Sequence, residues 1–247
     1  MQEHEGLDPP RSLTVLIPVL NERATLRRAV ERLLKTDLPV EVEVLVVDDG
    51  STDGSLDTIR DLVDDGLVRT VSHDTNRGKG AALRTGLGHA TGDLVTVLDA
   101  DLEYDPADYG PMLSAVVNDG AQVVYGKRSF GAHTAYSFWY VIGNRLVAFW
   151  ASFLFNTWLW DLETCFKMAR REAWLSLDLA QNGFGVEAEM TGKLLARGYL
   201  IHEVPIRYSA RTREEGKKLQ WTDGLQALAI LMTIRARKAL ASKRQPA

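Results

Sequence analysis

The chain has 247 residues, 45% hydrophobic and 25% charged, with a formal net charge of −4. This balance suits a compact domain with a real core and excludes a general nucleic-acid binder, whose affinity rests on many Lys and Arg contacts. Cys165 is the only cysteine, which excludes an internal disulfide and a cysteine-cluster zinc site and leads us to expect a reducing, cytoplasmic setting.

Residues 1–11 carry acids and two prolines but no apolar stretch, so they do not read as a signal peptide. Apolar, β-rich runs at 13–18, 42–47, 68–72, 94–98 and 122–125 alternate with amphipathic stretches near 23–35, 55–63, 79–89 and 108–118. That alternation predicts an α/β fold with a mostly parallel central sheet covered by helices. Ligands of such sheets bind beyond the carboxyl ends of the strands. The polar residues just past those ends fall at 18–22, 48–51 and 99–101. The second half begins with an aromatic-rich segment at 136–160, followed by a strand at 166–169, a helix at 185–197, a strand at 201–208 and a last helix at 221–238. No repeat or low-complexity linker interrupts the chain. A single domain is expected, in two halves, residues 12–130 and residues 131–240.

Asp99 and Asp101 close the 94–98 run. Taken as strand residues, their i, i+2 spacing points both carboxylates to one side, where hard oxygen donors suit a divalent cation and a diphosphate. A bare D-x-D also reads as two acids capping the next turn. Asp48 and Asp49 repeat the pattern before the turn Gly50-Ser51-Thr52-Asp53-Gly54, in which Ser51 and Asp53 also suit plain turn or N-cap positions. Turn chemistry leaves unexplained why acids gather at three successive strand ends.

The motifs Thr14-Val15-Leu16-Ile17-Pro18-Val19-Leu20-Asn21-Glu22, Val46-Val47-Asp48-Asp49-Gly50-Ser51-Thr52-Asp53, Asn76-Arg77-Gly78-Lys79-Gly80-Ala81-Ala82 and Leu98-Asp99-Ala100-Asp101-Leu102 together resemble family-two glycosyltransferases. Within that family, Asp161-Leu162-Glu163-Thr164-Cys165-Phe166-Lys167, Phe184-Gly185-Val186-Glu187-Ala188-Glu189 and the stretch 208–218 are most similar to the dolichyl-phosphate mannose and glucose synthases. Glu103 departs from the Gln that the mannose synthases often carry, and nothing matches the C-terminal spanning helices of many bacterial relatives.

The resemblance implies a GT-A fold and an inverting hexosyltransferase. The donor would be of the UDP-glucose or GDP-mannose type, the acceptor a polyprenyl or dolichyl phosphate, and the cofactor Mg2+ or Mn2+. By the same resemblance Pro18, Asn21, Glu22, Asp48 and Asp49 line the base and ribose pocket, Asp99 and Ala100 lie at the nucleotide, and Asp101 with Glu103 holds the metal. Asp161 is similar to the acceptor-side Asp near the reacting sugar. Lys79 and Arg84 are either further anion contacts or solvated cations at a helix start. Glu187 and Glu189 lie two apart on a predicted helix and so do not share a face: one reaches the site, with Glu187 favoured, or both are exposed. Arg207, Arg211, Arg213, Lys217 and Lys218 either grip the acceptor phosphate with paired hydrogen bonds or form a basic loop offset by Glu214 and Glu215.

The 136–160 segment is too apolar all round for an ordinary surface helix, yet Asn144 and Arg145 interrupt it. It reads as an interfacial membrane contact, a subunit interface or a buried helix. From residue 201 onward, ten basic residues stand against four acids, a balance that suits an anionic membrane surface. The expected location is cytoplasmic, peripherally associated with the inner face of the membrane, with a homo-oligomer as a further option. Two alternatives stay open: a family-two enzyme acting on a hydroxyl acceptor, and a catalytically silent module that binds nucleotide sugar or membrane.

Overall fold

The computed structural model describes residues 8–128, 138–210 and 221–242. β1 (Ser12–Val19) and β2 (Glu41–Asp48) run parallel in a register that pairs Ser12 with Glu41 and Val19 with Asp48, so the two strands end level. Their central residues are apolar and buried on both faces, as a parallel sheet covered on both sides requires. β3 (Arg69–Ser72) flanks β2, and β4 (Leu94–Val97) flanks β1 on the other side. With β5 (Val123–Arg128), β6 (Lys167–Arg170) and β7 (Ile201–Ile206) they form a seven-stranded sheet in the order β3-β2-β1-β4-β6-β5-β7.

Among the described strands, β6 alone runs antiparallel, against β4 and β5. Its first residue, Lys167, therefore lies at the carboxyl end of the sheet, paired with Tyr125. The segment that leads into it, from Asp161, arrives where the parallel strands finish. β5 runs three residues past the predicted end, because its pairing with β7 continues from Val123–Ile201 to Arg128–Ile206 and draws Lys127 and Arg128 into the strand. Tyr208, expected inside the last strand, instead bridges to Tyr104.

α1 (Leu26–Leu34) buries Leu26, Ala29, Val30 and Leu33 at helical spacing. The helix expected at 55–63 is a 3-10 turn, Leu56–Ile59, followed by the short α2 (Arg60–Asp64). Asp53 takes hydrogen bonds from both the N–H and the hydroxyl of Ser55, which holds the chain in a turn before a regular helix starts. α3 (Lys79–His89) packs on β1 and β2, and α4 (Tyr109–Asn118) packs on β5. The Tyr109 hydroxyl donates to the Val97 carbonyl at 2.9 Å and fixes the end of β4. Tyr104 and Tyr109 each stack on Phe166, with centroids 4.7 and 4.4 Å away.

α5 (Phe138–Phe155) is followed after β6 by α6 (Arg171–Ser176), whose six residues are too few to show a period in the sequence. Val147, Ala148 and Ala151 of α5 join Ala188 and Leu195 of α7 (Val186–Ala196) and Ala227 and Leu231 of α8 (Trp221–Ser242) in a second apolar cluster. α5 therefore has a core face, and Leu146, Phe149 and Phe153 stand exposed on the rest of it.

Candidate active site

The level ends of β1 and β2 bring the two loops after them into contact. Asn21, at φ +55°, donates its N–H to the Ser51 hydroxyl at 2.9 Å and accepts from the Thr52 N–H at 2.9 Å. The Glu22 N–H donates to the Ser55 hydroxyl at 2.9 Å. Pro18, at the end of β1, is partly exposed beside them, and Asp48 accepts from the Ser51 N–H at 3.2 Å. Pro18, Asn21, Glu22 and Asp48 thus belong to one knit rim.

Asp49, expected in the base pocket, is engaged by the protein itself. It is 3% exposed, and its carboxylate takes hydrogen bonds from Arg77 N–H at 2.9 Å, Gly78 N–H at 2.7 Å and His73 Nδ1 at 2.7 Å. A buried carboxylate must be satisfied by partners, and here the partners are the turn that starts α3. Gly78 has φ +94°, and a Cβ there would stand 2.4 Å from the Asn182 carbonyl. The Arg84 guanidinium binds the Gln181 carbonyl at 2.6 Å and the Asn182 side chain at 2.5 Å.

β4 ends at Val97, so Asp99 and Asp101 lie in the turn beyond it, and the strand-spacing argument does not apply. Asp99 turns to Lys79, whose ammonium lies 2.9 and 3.0 Å from its two oxygens. Asp101 accepts the Glu103 N–H at 3.1 Å, across Leu102 at φ +65°, a left-handed conformation unusual for leucine and of the kind that gathers at functional sites. Ala100 between them is buried. Glu103 accepts a hydrogen bond from the Tyr208 hydroxyl at 2.5 Å. Among the described residues no group of three or more His, Cys, Asp or Glu side chains gathers as a metal cage. Asp101 and Glu103 still fit Mg2+ or Mn2+, since such ions are often held by one or two carboxylates together with substrate phosphates.

Lys79 also reaches Glu187 at 3.3 Å, and Glu187 pairs in turn with the fully buried Lys167. Burial works against the Lys79 ammonium, but Asp99 and Glu187 beside it hold its pKa well above the usual lysine value. Glu187 is 5% exposed, so the exposed-helix alternative fails for it. It fails for Glu189 too, which is 4% exposed and accepts from the Ala180 and Gln181 N–H groups at 3.0 and 2.8 Å. Glu189 thereby secures the loop that lies against Gly78 and Gly80.

Asp161 is 2% exposed. Arg128 grips it through Nε and Nη2, its own N–H adds a third bond at 3.1 Å, and Asn144 adds a fourth at 3.0 Å. Burial pushes the Asp161 carboxyl up, but Arg128 and Asn144 overcome that and hold it below the usual carboxylate range. Arg128 was missed in the sequence because the apolar pattern placed the end of β5 at 125; the rule of inspecting residues after strand ends would have found it. Glu163, also missed, is partly buried near this pair.

Arg207, expected at the acceptor phosphate, meets two carboxylates and keeps 59% of its side chain exposed. Its guanidinium is taken by Asp108 at 3.0 and 3.1 Å and by Asp105 at 3.1 Å, carboxylates at the start of α4. Arg211, Arg213, Lys217 and Lys218 lie outside the described residues.

The model of Glycosyl transferase family 2 matches residues 14–176. The chain belongs to this glycosyltransferase family. Among curated relatives, it is 37% identical over 120 residues to the undecaprenyl-phosphate 4-deoxy-4-formamido-L-arabinose transferase of Proteus mirabilis, covering 47% of this chain and 36% of that protein. It is 30% identical over 207 residues to glycosyltransferase AglJ of Haloferax volcanii, covering 82% and 64%. A Mycobacterium tuberculosis protein described as putative glycosyltransferases is 46% identical over 87 residues, 35% of this chain and 25% of that one. The chain therefore spans less than two thirds of the length of each of these relatives. Among solved structures, it is similar to Mycobacterium tuberculosis glucosyl-3-phosphoglycerate synthase in complex with Mn2+, UDP and phosphoglyceric acid, with a TM-score of 0.70, 25% identity, and coverage of 91% of this chain and 78% of that one. The same enzyme with Mg2+ and UDP superposes with a TM-score of 0.66. The fold is that of the GT-A glycosyltransferases.

Proposed function

We propose that this glycosyltransferase moves a hexose from a nucleotide sugar, of the UDP-glucose or GDP-mannose type, to a polyprenyl phosphate at a membrane surface, inverting the anomeric carbon. The observation that carries the reading is the ion-pair chain Asp99–Lys79–Glu187–Lys167, which joins the D-x-D turn to the segment that begins at Asp161. In this reading the donor-side and acceptor-side motifs share one end of one sheet. The undecaprenyl-phosphate transferase among the relatives supports the acceptor class, and the UDP-bound synthase supports a UDP donor.

In this reading Pro18, Asn21, Glu22 and Asp48 form the rim for base and ribose, while Asp99, Ala100 and Lys79 face the diphosphate. Asp101 and Glu103 would hold Mg2+ or Mn2+, which when bound offsets the charge that builds on the departing diphosphate. An acceptor phosphate oxygen attacks the anomeric carbon as the bond to the nucleotide diphosphate breaks, and the electron pair leaves on the diphosphate. A phosphate monoester with a second pKa of about 6 is mostly ionised at neutral pH and needs little help from a base. Asp161, held ionised and fixed by Arg128, orients groups. Glu187 neutralises and positions Lys79. Arg211, Arg213 and Lys217 grip the acceptor phosphate.

No helix among the described residues is long and apolar enough to cross a membrane. Contact is peripheral, through Leu146, Phe149, Phe153, Trp158 and Trp160, which are 50–69% exposed. Such residues favour the headgroup level, and Arg235, Arg237 and Lys238 on α8 suit an anionic cytoplasmic leaflet. The test is incubation with radiolabelled UDP-glucose or GDP-mannose, manganese and a polyprenyl phosphate, followed by lipid extraction. Label in the organic phase is expected; label that enters only a neutral alcohol acceptor refutes the reading.

A further inference from the structure

Glu103 is pinned at three points. Its N–H donates to Asp101 at 3.1 Å, its carbonyl accepts from the Ser209 N–H at 2.9 Å, and its carboxylate accepts from the Tyr208 hydroxyl at 2.5 Å. Two of those partners come from the segment after β7. Arg207 begins the seam, its N–H donating to Asp108 at 2.8 Å. Tyr208 then bridges to Tyr104, with the two rings 5.1 Å apart, so the segment runs along the turn that carries the D-x-D acids.

Tyr208 is 5% exposed, and its ring lies 5.0 Å from the guanidinium of Arg128, which Asp161 holds on both arms. One side chain therefore touches both Glu103 and Arg128. Filling the space between Tyr104 and Arg128 needs only the ring. The hydroxyl does something the ring cannot: it fixes which way a long, otherwise rotatable carboxylate points. A carboxylate has about four acceptor sites, so a hydroxyl on Oε2 leaves the same group able to take a cation.

We propose, resting on the assignment of Asp101 and Glu103 to the cation above, that Tyr208 is a positioning residue for that cation. Its ring, set against Tyr104 and Arg128, fixes the hydroxyl, and the hydroxyl aims Glu103. A ligand ordered in advance loses no rotamer freedom when the cation arrives. Removing a partner that orients a metal ligand from behind typically lowers metal affinity by roughly 10–100-fold. A hydroxyl that instead held Glu103 away from the cation would give the opposite sign.

The experiment measures Mn2+ binding to the full chain, with UDP and with GDP, from the loss of the free-ion electron paramagnetic resonance signal. Wild type, Tyr208→Phe, Glu103→Ala and the double variant are compared. Phenylalanine keeps the ring and removes only the hydroxyl, so nucleotide binding without metal should be unchanged. Mn2+ should bind Y208F roughly 10–100-fold more weakly than wild type. In the E103A background the same change should cost nothing further, because its effect passes through Glu103. Equal or tighter Mn2+ binding in Y208F, or a loss that persists in E103A, overturns the proposal. Asp101→Asn separates this failure from that of the cation site. Binding lost in D101N but kept in Y208F removes the role of Tyr208 alone, whereas a wild type that holds no Mn2+ with either nucleotide removes both.

Discussion

Arg128 and Asp161 face each other as a two-armed pair, Nε and Nη2 each 2.7 Å from a carboxylate oxygen, across 33 residues of sequence. Removing the arginine leaves a buried charge with Asn144 and backbone N–H as its remaining partners. Arg128→Ala should cost about 3–5 kcal/mol, read from urea midpoints at neutral pH. Because the Asp161 pKa is depressed, its contribution in wild type is present above about 3.8 and lost as pH falls through the lowered value. In R128A burial should raise that pKa instead, so the variant should lose stability as pH rises through it. Urea midpoints that fall in parallel with wild type at every pH would contradict this.

Asp101→Asn keeps the size of the side chain and the acceptor for the Glu103 N–H but removes the charge. Manganese-dependent transfer should fall by at least about a hundredfold, the order seen when one electrostatic contributor is removed. The circular dichroism spectrum should be unchanged. Turnover near wild type with manganese would remove Asp101 from the cation site.

Glu163 has the opposite pH sign from Asp161. Its folded pKa of about 7 lies above the usual 4.5, so stability is complete below about 4.5 and lost as pH rises through 7. Glu163→Gln should therefore raise stability relative to wild type at pH 8 by on the order of 1–3 kcal/mol, read as a higher melting temperature. At pH 5 the difference should be much smaller. A melting temperature unchanged at both pH values would contradict the prediction.

Two glycines of α3 make a matched pair. A Cβ on Gly80 would stand 2.1 Å from the Gln181 carbonyl, whereas Gly88 faces open space within the same helix. Gly80→Ala should destabilise by about 1–3 kcal/mol, and Gly88→Ala should stabilise by about 0.5–1 kcal/mol. Thermal melts decide, and equal effects would show that the 181–182 loop yields.

Phe149 and Phe153 are 61% and 69% exposed on α5. Replacing both by Ser should leave the fold intact and markedly reduce co-sedimentation with anionic vesicles. Wild-type binding should also weaken with salt as Lys and Arg contacts are screened. Unchanged sedimentation, with a shift from dimer to monomer, would assign this face to a second copy.

The alternation of apolar runs disclosed the strand sequence and most helices, because burial on both faces of a parallel sheet leaves continuous Val, Leu and Ile. The motif residues at strand ends were equally legible. What stayed hidden had a long-range cause. Asp49 looks like a ligand in sequence, yet His73, Arg77 and Gly78 fold back to consume it. Arg207 looks like a phosphate grip in sequence, and its partners Asp105 and Asp108 come from about 100 residues away. Arg128 fell beyond an apolar pattern that ended before its strand did.

The position of β6 bears on how the molecule is made. In the finished sheet β4 and β5 are not adjacent; β6, emitted some forty residues after β5, is threaded between them. A nascent chain that stops after β5 holds a strand with neither of its eventual neighbours, since β6 and β7 both lie downstream. The amino-terminal half cannot finish its sheet during synthesis, and splitting the gene between the two motif-bearing halves should give fragments that recover structure only when combined.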